Sequence, residues 1–147
     1  MSDASITRKP FPSKEWVTSY MEALNQSEEY AKTGKGWQWG IMFVINELPE
    51  SLATKLGSKS AAFILDLHDG KCLSYEWVEN PEANDAPYKL SGKYSIWTKV
   101  ITGKLNPTQA MLTGQLRVKG DLVRLLKYTA AAIAMVKAAQ EVPTEIV

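Results

Sequence analysis

The sequence predicts an α+β fold in which helices cover one side of an antiparallel sheet. Three observations predict it. Apolar residues recur at helical spacing near both ends of the chain, first at Trp16, Val17, Tyr20, Met21 and Leu24, and again at Leu122, Leu125 and Leu126. The stretch between them is rich in aromatic and branched residues, as strands are. Within it, Asp69-Gly70 separates two apolar runs, which marks a tight hairpin because a type I′ turn needs positive φ at both central residues. Helices flanking a run of strands give an α+β layering.

Taken in order, Pro10-Phe11-Pro12 cannot propagate a helix, and Ser13 is a good N-cap directly after it. A first helix over about residues 13–33 follows, stopped near Thr33-Gly34. Trp37 to Asn46 reads as one long strand. Leu48 to Ser60 is a short helix or loop, and Ala61 to Leu67 and Leu73 to Val78 are the hairpin strands. After the polar, proline-bearing Asn80 to Pro87, a fourth short strand covers Pro87 to Leu90. Tyr94 to Ile101 is a helix closed by Gly103, and Asn106-Pro107 starts another that Gly114 ends. Gln115 to Lys119 alternates as a strand, and Asp121 caps a long terminal helix to about Ala139. With no internal repeat and no low-complexity linker, residues 1–147 are expected to form a single domain.

Composition narrows the function classes. With 45% apolar and 22% charged residues, the chain is ordinary for a globular protein and needs neither metal nor disulfide to fold. Its longest weakly polar stretch, Tyr128 to Val136, falls short of a membrane span. Met1 to Pro12 lacks an apolar signal core and Cys72 is the only cysteine, so a cytoplasmic, reducing location is expected. Net charge is +1 but unevenly spread: residues 47–85 hold eight acids and three lysines, whereas 89–127 hold eight Lys or Arg and one acid, Asp121. Such a split marks either a face that meets anions or two solvated surfaces that differ. The second half of the terminal helix, Thr129 to Ala139, carries only Lys137 as a charge, so something apolar must cover it on every side: the chain itself, a partner or a lipid.

The segment Trp97-Thr98-Lys99-Val100-Ile101-Thr102-Gly103-Lys104-Leu105-Asn106-Pro107 resembles the signature of the sterol carrier protein family, type two. The likeness continues through Ala110-Met111, Gly114-Gln115-Leu116, Val118-Lys119-Gly120-Asp121 and Leu126-Lys127, and upstream through Phe63 to Leu67 with Asp69-Gly70. The resemblance implies a five-stranded, mostly antiparallel sheet with helices on one face, enclosing an apolar tunnel for sterols, fatty acids or acyl-CoA esters. Burying about ten methylenes at roughly 0.8 kcal/mol each would support micromolar binding after association costs. The C-terminal Thr144-Glu145-Ile146-Val147 does not match the Ser-Lys-Leu address found in many eukaryotic members, and the front end with Trp16, Trp37 and Trp39 is longer than in compact members.

On that basis the expected tunnel residues are Trp97, Ile101 and Leu105 from the middle helix and its exit, and Met111 and Leu112 from the short helix. Leu122, Leu125, Leu126, Ile133 and Val136 join them from the last helix, with Phe43, Phe63 and Leu65 as the sheet floor. Each of these also reads as ordinary core. Lys99, Lys104, Arg117 and Lys119 are candidates for an anionic lipid surface or the phosphates of an acyl-CoA.

Asp66, His68, Asp69 and Cys72 form the one cluster that invites catalysis, but no third group orients a Cys-His pair at an exposed hairpin tip. One His and one Cys do not make a zinc site, and no nucleotide loop or Gly-x-Ser-x-Gly elbow is present. The basic final third has no helix-turn-helix or RNA-recognition motif beside it. The reading is therefore a non-catalytic carrier of a hydrophobic small molecule or lipid, without cofactor, metal or nucleic acid, whose partners would be an anionic membrane or a lipid-metabolising enzyme. The alternative is a protein-interaction or enzyme-accessory module of the same fold with a filled interior. Cavity volume separates the two: several hundred Å³ suits a ligand.

Overall fold

The computed structural model describes residues 7–146, so the parts of the leader and C-terminal readings that fall on residues 1–6 and 147 lie outside the described residues. A five-stranded sheet forms the base, in spatial order β4 (Lys71–Val78), β3 (Ala61–His68), β2 (Gly40–Asn46), β5 (Tyr88–Lys93) and β6 (Arg117–Lys119). Three of its pairings are antiparallel and one, β2 with β5, is parallel. The parallel pair explains the pattern of β2: as the central strand it is buried along Ile41 to Ile45 on both faces, so it shows no apolar-polar alternation. One face carries Ile41, Phe43 and Ile45 toward the helices. The other carries Met42 and Val44, which pack with Ala62 and Val78 and with Ala86 of the 80–87 connection.

The Asp69-Gly70 turn has the expected geometry, with φ of +50° and +82°. Beside it the register shifts between Asp66 and Leu67, a bulge that leaves Leu73 on β4 largely exposed. The turn also receives the front end of the chain. Gly34 and Gly70 approach so closely that a Cβ on Gly70 would lie 2.5 Å from the Ala31 carbonyl oxygen. Asp69 Oδ1 accepts from the Gly36 amide at 2.9 Å, and the Asp69 amide donates to the Trp37 carbonyl at 2.8 Å. These contacts fix the position of Trp37.

The expected first helix is two helices, α1 (Lys14–Gln26) and α2 (Glu28–Thr33). Ser27 breaks it: its backbone is extended and its hydroxyl accepts from the Tyr30 amide at 3.0 Å, the local competition with helical bonding that serine offers. α1 lies along edge strand β4, where the Asn25 amide group pairs with both backbone groups of Cys72, at 2.8 and 2.9 Å. The long strand starts three residues later than expected, since residues 37–39 serve the contact with the hairpin.

Past β5 the chain forms α4 (Tyr94–Ile101) and α5 (Pro107–Leu112), with α3 (Glu50–Leu56) between β2 and β3. Asn106 caps α5 as expected, accepting from Thr108 and Gln109 amides at 2.8 and 3.2 Å. The terminal helix is also divided, into α6 (Leu122–Leu126) and α7 (Thr129–Gln140). At the break the Lys127 and Tyr128 amides bond three residues back instead of four. The Tyr128 ring thereby turns onto Trp37, with centroids 5.2 Å apart. A two-residue parallel ribbon joins β1 (Lys9–Pro10) to β7 (Thr144–Glu145), a long-range pairing with no sequence signal of its own.

Candidate functional site: an apolar cavity between sheet and helices

Every layer of the fold contributes to one interior cavity of about 110 Å³. Its floor is the helix-facing side of the sheet, through Ile41, Phe43, Ile45, Phe63, Leu67 and Leu90. Phe43 stacks on Phe63 at 5.3 Å and meets Trp97 edge-on at 5.8 Å. The roof is built from Trp16 and Tyr20 on α1, Tyr30 on α2, Val100 and Ile101 on α4, Met111 on α5, Leu125 on α6, and the small residues Ala131, Ala132 and Ala139 of α7.

The polar edges of four of the large rings are engaged elsewhere. Trp97 Nε1 donates to the Val44 carbonyl at 2.9 Å, Trp37 Nε1 to the Trp39 carbonyl at 2.8 Å, and Trp16 Nε1 to Thr144 Oγ1 at 2.9 Å. The Tyr20 hydroxyl donates to the Met135 carbonyl at 3.0 Å. Burial raises the pKa of both Tyr20 and Tyr30, so neither phenol brings charge to the interior. What remains is a hydrocarbon surface. It recognises by shape and apolar area, with little direction to its contacts.

Of the residues expected at a tunnel, Phe43, Phe63, Trp97, Ile101, Met111, Leu125 and Val136 line this cavity. Leu65 is wholly buried on the same sheet face but packs without lining it, and Leu105, Leu122 and Leu126 are half-buried outside it. Leu112 and Ile133 point outward, with relative exposures of 63% and 37%, because each is on the solvent side of its short helix. Lys99, in the last turn of α4, and Lys104, just past its end, are both exposed and joined by the bond from the Lys104 amide to the Lys99 carbonyl at 2.8 Å, whereas Arg117 and Lys119 are on edge strand β6, where Lys119 lies directly opposite Lys89. The four cations therefore occupy two places rather than one. Sequence reasoning missed the front-end contribution of Phe11, Trp16, Tyr20, Tyr30 and Trp37. The apolar stripe of α1 was visible, but nothing in a stripe tells whether it faces a neighbour or a space.

A larger depression, about 520 Å³, lies between α1 and the end of α7. It is lined by Glu22, Gln26, Lys137 and Glu141 among others, which suits water rather than hydrocarbon. The hairpin cluster does not assemble a nucleophile and base. His68 Nε2 meets Asp66 Oδ1 at 2.9 Å, but Cys72 faces Leu67 on the interior side and its thiol donates to the Ser74 carbonyl at 3.4 Å. Burial pushes the Cys72 thiol up to about 11. Among the described residues no group of three or more His, Cys, Asp or Glu side chains could hold a metal ion, and no helix is long and apolar enough to cross a membrane.

An α+β shell whose sheet and helices converge on one apolar cavity defines a class of domain with an enclosed apolar interior. Comparison with known proteins makes the assignment specific: residues 22–132 match the SCP-2 sterol transfer family, and the chain belongs to it. Lipid binding or transfer is the general activity that membership supports. A sterol carrier protein 2 of Arabidopsis thaliana is 31% identical over 90 residues, which are 61% of this chain and 67% of the relative. A crystal structure of a sterol carrier protein 2 superposes with a TM-score of 0.77 at 30% identity, covering 88% of this chain and 97% of its own. The solution structure of a conserved hypothetical protein from Thermus thermophilus, described as possibly a sterol carrier protein, gives 0.80 at 29% identity, covering 96% and 94%.

Proposed function

We propose that this protein is a non-catalytic, cytoplasmic carrier that holds one hydrophobic ligand, a fatty acid, acyl-CoA or other lipid, in the cavity between sheet and helices. The observation that carries the reading is that sheet and helices surround one space with mostly apolar side chains, and that the indole N–H groups of Trp16, Trp37 and Trp97 and the Tyr20 hydroxyl are already bonded within the protein. At about 110 Å³ the space admits only part of an acyl chain, since cavities for whole small ligands run from roughly 300 to 1,000 Å³. Loading then needs the roof to move. The break at Lys127–Tyr128 marks α7 as the segment that would shift away from the floor, carrying its alanines together with Met135 and Val136. Each methylene that follows contributes roughly 0.8 kcal/mol. Lys99 and Lys104 at the end of α4 and Arg117 and Lys119 on the edge strand would meet an anionic membrane, or a lipid-metabolising enzyme, during delivery.

The small size of the resting cavity favours a second reading, an interaction or enzyme-accessory module with its interior largely filled. Native mass spectrometry of the freshly purified protein, followed by lipid extraction, separates them. Co-purified lipid near one per chain supports the carrier. A clean apo mass, with no later uptake of fatty acid, acyl-CoA or sterol, supports the module.

A further inference from the structure

Beyond the cavity wall at the Trp37 end lies a positively charged group with a fixed orientation, on which Asp121 acts only from beyond ion-pair distance. The Arg124 guanidinium sits 4.4 Å from the centroid of the Trp39 ring and donates from Nη1 to the Tyr88 hydroxyl at 3.1 Å. Its backbone is held as well, because Asp121 Oδ1 accepts the Arg124 amide at 3.1 Å as the cap of α6. Face, edge and backbone are thus all constrained. No carboxylate pairs with this guanidinium among the described residues, whose ion pairs are His68–Asp66, Lys93–Glu47 and Lys137–Glu29.

The aromatic side chains that hold Arg124 are continuous with the cavity. Trp39 meets Trp37 at 5.1 Å, Tyr88 meets Trp37 at 4.7 Å, and Trp37 meets Tyr128 at 5.2 Å. Trp37 and Tyr128 line the cavity, as does Leu125, the residue after Arg124. A guanidinium has five N–H donors in a planar fork, and one of them is used here. The others are free for an oxyanion, in an arrangement already oriented and partly desolvated. Surface lysines elsewhere offer charge without that orientation.

We infer that Arg124, set by Trp39 and Tyr88 at the Trp37–Tyr128 end of the cavity, is a headgroup site that selects amphiphiles ending in a carboxylate or phosphate oxyanion over neutral ones. This rests on the carrier reading, since the oxyanion arrives attached to the chain that the cavity holds. It assigns the ligand a direction: hydrocarbon toward the sheet floor, charge at α6.

The test compares palmitate, methyl palmitate and hexadecyl phosphate by displacement of a fluorescent fatty acid from the full chain, with wild type, Arg124→Gln and Arg124→Lys. The expected result is that wild type prefers the two anionic ligands over the ester by about tenfold or more. Arg124→Gln should erase that preference while leaving ester affinity unchanged, and Arg124→Lys should keep part of it. Unchanged ester binding also shows that the variant is folded. Equal wild-type affinity for all three, or an equal loss of all three in Arg124→Gln, overturns the headgroup site and leaves the carrier reading standing. Failure of every ligand to bind wild type overturns both. Inorganic phosphate is the last arm: if it displaces palmitate in wild type but not in Arg124→Gln, the site is one for free anions and the lipid assignment is wrong. If it does not compete, the oxyanion must come with its chain, as proposed.

Discussion

Filling the cavity is the most direct perturbation of the proposed carrier. Ala131 on α7 is buried, at 6% exposure, and lines the space, so Ala131→Leu adds three carbons where the structure has a void. An unfilled apolar cavity costs about 24 cal/mol per Å³, which for 110 Å³ is about 2.6 kcal/mol. Leucine costs almost nothing more than alanine in a helix. Because it fills only part of the space and its rotamer is constrained, the expected gain is about 1–2 kcal/mol in the delipidated protein. For a chain of this size that raises Tm by roughly 2–8 °C. The same leucine occupies volume that a ligand would use, so fatty-acid affinity should fall by about tenfold or more, corresponding to about 1.4 kcal/mol. Thermal melts of delipidated protein and a displacement titration measure the two effects. A variant that is destabilised yet binds fatty acid as tightly as wild type would refute the reasoning, because the ligand would then be held elsewhere.

Two further predictions concern the frame. Gly70→Ala should destabilise by about 3 kcal/mol, combining a left-handed φ of +82° with a Cβ 2.5 Å from the Ala31 carbonyl oxygen. Gly57→Ala, at φ +71° with nothing within 4 Å, should cost only the backbone penalty of about 1 kcal/mol, and chemical denaturation of both variants isolates the close contact. The second prediction is of alkaline instability. Burial raises the Cys72 thiol from 9.0 to about 11, so the native state holds a proton that the unfolded chain releases. The associated stability is complete below about pH 9 and is lost as pH rises toward 11, a total of roughly 2–3 kcal/mol. Tyr20 and Tyr30, also raised, extend the loss to higher pH. Denaturant melts at pH 8 and pH 10.5 should show a larger drop for wild type than for Cys72→Ala, and equal drops would contradict the burial effect.

Much of the architecture was legible because it is written in local chemistry. Ser13, Asn106 and Asp121 cap helices through bonds to amides two or three residues away, and Asp69-Gly70 turns the chain within two residues. The glycine and Asn-Pro punctuation from Trp97 to Lys127 carried the family resemblance for the same reason. Signals of this kind depend on neighbours in sequence, so the sequence by itself determined the fold class, most element positions and the apolar character of the interior.

The tertiary structure decided what depends on distant partners. Ser27 and Tyr128 each divide a stretch that is continuous in apolar periodicity, and the Tyr128 break accompanies the contact with Trp37, 91 positions earlier by number. Leu112 and Met111 are adjacent and equally apolar, yet Met111 lines the cavity and Leu112 faces solvent, a choice made by the angle at which α5 docks. The cavity's size is likewise a property of packing, since it is the space left when sheet and helices settle against one another. Arg124 reads in sequence as one cation among eight between residues 89 and 127. Only the fold brings Trp39 and Tyr88 to it, because the orientation of a long side chain is set by what it touches and not by its neighbours along the chain.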